Sequence, residues 1–75
     1  MKNNGLGIYG NLGEKSLGVQ YNGESRSFSD IETMCRYVLS AAPSFITVSL
    51  NIRHGSPLEL KRFFERNSIP AELVD

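Results

Sequence analysis

An α+β fold is predicted: a two-layer sandwich in which a mixed sheet of four or five strands carries two helices on one face. Three observations predict it. Between Phe45 and Leu60, Ile46, Val48, Leu50 and Ile52 alternate with Thr47, Ser49 and Asn51, then run directly into Ser56-Pro57-Leu58-Glu59. The alternation is that of a strand with one buried face. The segment after it combines an N-cap serine, a proline at the first helical position and a glutamate placed for a capping box. Asn22-Gly23 is the strongest local hairpin signal, because a type I′ turn demands positive φ at both central residues. Finally, the apolar faces of helices and strands can all be directed at one core, the agreement between levels expected of a foldable sequence.

The elements follow in order. Leu6 and Ile8 alternate with Gly7 and Tyr9 in a first strand, followed by a loop over Asn11-Leu12-Gly13-Glu14-Lys15. Leu17, Val19 and Tyr21 alternate with Gly18 and Gln20 in a second, and the Asn22-Gly23 turn returns the chain through Arg26 to Phe28 as a third. A two-residue loop sets their register, with Tyr21 opposite Glu24, Val19 opposite Arg26 and Leu17 opposite Phe28. Ser29-Asp30-Ile31-Glu32 reads as a second capping box, with Ser29 as the cap of a helix over about 30–41. The apolar stripe of this helix is Ile31, Met34, Cys35, Val38, Leu39 and Ala42, which leaves Asp30, Glu32, Thr33, Arg36, Tyr37 and Ser40 outward. Ala42-Pro43 stops it, since the residue before a proline is pushed out of the helical region.

The next strand is read from Phe45 through Ile52. A second helix, about Pro57 to Arg66, has Leu60, Phe63 and Phe64 as its apolar face, with Asn67 as a left-handed C-terminal cap. Ala71 to Val74 supplies a short last strand, and the strand–helix–strand order implies a right-handed parallel crossover. The sheet face turned away from the helices then carries Tyr9, Gly18, Gln20, Ser25, Ser27, Phe45, Thr47, Ser49 and Asn51.

Length and composition bound the function. A chain of 75 residues is read as one domain over 1–75, near the lower limit for folding without staples. One cysteine excludes an internal disulfide framework and a multi-cysteine zinc site, and one histidine excludes a multi-histidine site. No apolar run approaches membrane-spanning length and the N-terminus lacks an apolar leader, so a cytoplasmic, reducing location is expected. Eight Lys and Arg balance eight Asp and Glu, which argues against nonspecific binding to nucleic acid or anionic membranes. A near-neutral surface also resists self-association poorly, so a homodimer or a covering partner is expected.

Motifs that suggest chemistry have stronger structural readings. Gly5-Leu6-Gly7-Ile8-Tyr9-Gly10 matches GxGxxG, but the dinucleotide mechanism needs a helix N-terminus next, and Asn11 to Lys15 show no helical period. A flexible, glycine-rich first strand and loop whose backbone approaches something closely is the better account of those glycines. Cys35 and His54 are the only thiol–imidazole pair available, and Cys35 falls on a core-facing stripe, where an inert thiol is expected. A non-catalytic protein-interaction module is therefore expected, an inhibitor, adaptor or accessory subunit of bacterial or phage type, without metal or cofactor. Tyr9, Tyr37, Phe45 and Arg62 are its expected contacts. The alternative is nucleic-acid binding through Arg53, His54, Lys61, Arg62 and Arg66, although Glu59 and Glu65 interleave with the helical cations as on a solvated face.

Overall fold

The Asn22-Gly23 turn places both residues at positive φ, 53° and 79°, and the register it dictates is the one observed, Tyr21–Glu24, Val19–Arg26 and Leu17–Phe28. The computed structural model describes residues 5–10, 16–52 and 55–74. Asn11 to Lys15, Arg53 and His54 lie outside them. The elements are β1 (Gly5–Gly10), β2 (Leu17–Tyr21), β3 (Glu24–Phe28), α1 (Ile31–Ala41), β4 (Phe45–Ser49), α2 (Pro57–Arg66) and β5 (Ala71–Val74). They form a five-stranded mixed sheet in the order β3-β2-β1-β4-β5. The β1–β2 and β2–β3 pairs are antiparallel, whereas β1–β4 and β4–β5 are parallel.

One face of this sheet and both helices enclose the core. Leu6, Ile8, Leu17, Val19, Ile46, Val48 and Ala71 project from the strands against Met34 and Val38 of α1 and Leu60 and Phe64 of α2. Among the described residues, no buried side-chain nitrogen or oxygen lacks a hydrogen-bond partner. Three ion pairs link described residues, Glu24–Arg26, Glu32–Arg36 and Lys61–Glu65, and all are substantially solvated. Exposed pairs of this kind contribute about 0–1 kcal/mol each, so burial of the apolar stripes holds the layers together.

Four local expectations need correction. The strand expected to reach Ile52 ends at Ser49. The Ser49 hydroxyl donates to Asn51 Oδ1 (2.7 Å) and accepts from the Asn51 amide (3.3 Å), and the Gly10 amide donates to that same Oδ1 (3.1 Å). Side-chain bonds of this kind replace the ladder and turn the chain. Ser49 is consequently buried rather than on an open face, Leu50 is thrown outward at 51% exposure, and Ile52 folds back into the core. The alternation misleads here because Ile52 is buried along either path.

The cap of α1 is Asp30, not Ser29. Its Oδ2 accepts from both the amide and the hydroxyl of Thr33, each at 2.9 Å, so the first turn is closed from Asp30. The helix is also rotated about its axis relative to the expected stripe: Leu39 is 36% exposed, and Tyr37 is half-buried. The cause lies on β3, whose Phe28 ring sits 5.4 Å from that of Tyr37, while the Arg26 guanidinium lies 5.1 Å from the Tyr37 ring centroid. At the end of α2, Asn67 has φ −96° and ψ 20°, and the left-handed residue is Ser68, at φ 66°. The Ser68 and Ile69 amides donate to Glu65 and Phe64 carbonyls, the Schellman pattern with its left-handed position one residue later than expected.

Two glycines illustrate different constraints. A Cβ on Gly10 would lie 2.7 Å from the Asn51 carbonyl oxygen and 2.9 Å from Ile52 Cα, both backbone atoms. The three atoms nearest a Cβ on Gly18 would all belong to the Tyr9 ring. Gly10→Ala is expected to destabilise the protein by about 2 kcal/mol, since backbone must move. Gly18→Ala should stay within about 1 kcal/mol of the native protein, because the ring can swing aside and alanine lowers the entropy of the unfolded chain. Urea denaturation of the two variants checks the ordering; equal losses would show that the Gly10 contact is not limiting.

Candidate functional site

α1 meets β3, where Tyr37 packs on Phe28 and Arg26, while α2 packs on β4 and β5. The helices do not close against each other, and a groove of about 890 Å³ remains between them. Ile31 and Cys35 of α1 and Leu60 and Phe63 of α2 supply its apolar lining. Glu32, Glu59, Glu65, Arg62 and Arg66 supply its charged lining. Gly55 closes one end at φ 91°, a conformation that favours glycine, and a Cβ there would sit 2.5 Å from Ile31 Cδ1.

The charges along this groove are unequal in their freedom. Glu32 is held by Arg36 (3.1 Å) and Glu65 by Lys61 (2.9 Å), each across one helical turn. Glu59, Arg62 and Arg66 make no ion pair among the described residues. With Phe63 they recur at i, i+3, i+4 and i+7, so one stripe of α2 presents a carboxylate, a guanidinium, a phenyl ring and a second guanidinium. Cys35, half-buried in the groove wall, has its thiol pKa raised, first by burial and then by the Asp30 carboxylate. Such a thiol is a poor nucleophile at neutral pH.

The opposite face of the sheet bears Tyr9, Gln20, Ser25, Ser27, Phe45, Thr47 and Glu72 among three glycines. Its two aromatic rings lie down on the glycines of neighbouring strands: Phe45 covers Gly5, and Tyr9 covers Gly18. Phe45 is paired with the first residue of β1, and Tyr9 lies four positions along that strand. The rings are therefore roughly 13 Å apart along the sheet, at about 3.3 Å per residue, with a shallow depression of about 370 Å³ over Gly7 and Thr47 near Phe45.

The four expected contact residues are thus dispersed. Tyr9 and Phe45 share the outer face at a distance, Tyr37 is engaged with Phe28 and Arg26, and Arg62 lines the groove. Of the expected cations, Arg62 and Arg66 converge on the groove, Lys61 is tied to Glu65, and Arg53 and His54 lie outside the described residues. The groove walls escaped sequence reading because Ile31, Cys35, Leu60 and Phe63 look like ordinary core until the helices are seen to diverge. One signal was available: the aromatic Phe63 set between two arginines on the same stripe. Gly5 to Gly10, the GxGxxG match, is β-strand throughout and ends against Asn51. Among the described residues no three His, Cys, Asp or Glu side chains are grouped to hold a metal, and no helix is long and apolar enough to cross a membrane.

No protein-family model, no curated protein and no solved structure matches the chain.

The raised thiol pKa has a measurable consequence. Alkylation of Cys35 should be slow at neutral pH and should accelerate only above the pH at which an ordinary cysteine becomes reactive, because only the thiolate attacks. Asp30→Asn keeps a good helix cap but removes the negative charge. Its profile should shift toward lower pH without reaching that of a free thiol, since burial, the larger cause, remains. A profile that Asp30→Asn leaves unmoved would remove the carboxylate from the explanation.

Proposed function

We propose that the chain is a non-catalytic protein-interaction module, an inhibitor, adaptor or accessory subunit, whose contact surface is the groove between α1 and α2. The observation that carries this reading is the composition of the groove: half-buried Ile31 and Phe63, with buried Leu60 behind them, line a common space beside Glu59, Arg62 and Arg66, which have no ion-pair partners among the described residues. An apolar floor with a charged border is the arrangement that takes an amphipathic helix or a complementary protein face. The single free thiol in that groove fits a reducing, cytoplasmic setting.

Cys35 reports on the groove directly. Its alkylation rate should fall when dilute purified protein is returned to its native extract or raised to high concentration, because a protein occupying the groove covers the thiol. Unchanged rates under all these conditions would dismiss the groove as the contact surface.

A second reading, nucleic-acid binding by the α2 cations, draws support from the two guanidinium groups of Arg62 and Arg66. It predicts an affinity for duplex DNA that falls with salt at a log–log slope of roughly −0.9 per phosphate neutralised. Absent or salt-independent binding would eliminate it.

A further inference from the structure

We infer that the occupant of the groove is a second copy of this chain, docked antiparallel along α2. This inference rests on the protein-interaction reading above and names the partner. The pattern Glu59, Arg62, Phe63, Arg66 occupies one stripe of α2, spanning about 10.5 Å at 1.5 Å per residue. A two-fold axis crossing that stripe midway between Arg62 and Phe63 sets each Glu59 opposite the second copy's Arg66. The same axis sets each Arg62 opposite the second copy's Phe63. Carboxylate meets guanidinium twice, and guanidinium meets aromatic ring twice, the second being a favourable cation–π geometry.

No other self-pairing of the stripe has this property. A parallel arrangement would bring Glu59 to Glu59 and Arg66 to Arg66, like charges at both ends. The remaining groove charges do not disturb the match, since Glu32 and Glu65 are already paired with Arg36 and Lys61 within the chain. An isologous contact also requires a patch complementary to itself, and a stripe acidic at one end and basic at the other meets that requirement. The opposite sheet face offers no comparable code: its aromatic rings are seated on Gly5 and Gly18, and Glu72 is its one charged side chain among the described residues.

The experiment is a charge exchange read by sedimentation equilibrium from micromolar to millimolar protein, using the wild type, Glu59→Arg, Arg66→Glu and the double variant. Circular dichroism establishes that each is folded. The wild type should dimerise, and each single variant, facing like charges twice per dimer, should bind itself at least about tenfold more weakly. The double variant restores opposite charges with the signs exchanged and should recover the dimer. Dimers of equal strength in all four proteins, or a double variant no better than the singles, would overturn the antiparallel contact. A monomeric wild type would overturn it as well. In that case alkylation of Cys35 in native extract separates the two claims: protection leaves the groove reading standing with a different partner, and full reactivity removes both.

Discussion

Leu6 and Ile8 of β1 meet Ile46 and Val48 of β4 across a parallel ladder, and that ladder joins two units that otherwise have separate local rules. On one side, β2 and β3 form a hairpin governed by its turn. On the other, β4, α2 and β5 form a strand–helix–strand unit governed by helix caps. β1 belongs to neither by sequence, yet it lies at the centre of the sheet. Its glycines give it little intrinsic preference for an extended conformation, so its place is set by what flanks it. The Gly10 amide bonds to the Asn51 side chain, and the bare Gly10 Cα admits the Asn51 backbone. A side chain there would press directly on the turn that ends β4.

Local chemistry was legible where a residue type has one geometric use. Asn22-Gly23 yielded both turn and register, Ser56-Pro57 marked the start of α2, and Ala42-Pro43 marked the end of α1. The order of strands was not legible, because β1 pairing with β4 is a non-local choice that no turn announces. The end of β4 was hidden by Ile52, which is buried whether the strand continues or turns. The rotation of α1 was hidden for a related reason: the helical period alone puts Tyr37 outward, and only the neighbouring Phe28 and Arg26 reveal a ring and a cation against it. The groove between α1 and α2 was hidden as well. Its residues were identified individually as apolar or charged, but their convergence is a property of how far two helices stand apart.

The two broad surfaces have different physical characters. On the outer sheet face, small side chains and two flattened rings leave little relief and almost no charge, and each ring already buries one side against the sheet. On the helical side, relief and charge coincide: an aromatic residue, aliphatic side chains and guanidinium groups that make no ion pair among the described residues share one concavity. Residues of the latter kind carry disproportionate binding energy when covered, because desolvation strengthens the charged contacts around a buried ring.

The central position of β1 also has a temporal side. Its ladder to β4 pairs Gly5 with Phe45, so the hairpin and the whole of α1 lie in the loop that this contact closes. Closing such a loop costs entropy before the contact returns anything, and topologies rich in distant pairings fold slowly. The β2–β3 hairpin, by contrast, can form on the microsecond scale of a local turn. During synthesis β1 is made before either of its neighbours, and its inner side chains, Leu6 and Ile8, stay exposed to solvent along the β4 edge until Phe45 to Ser49 have emerged. The strand at the middle of the sheet is thus made before both of its neighbours, and its enclosure requires the distant segment Phe45 to Ser49.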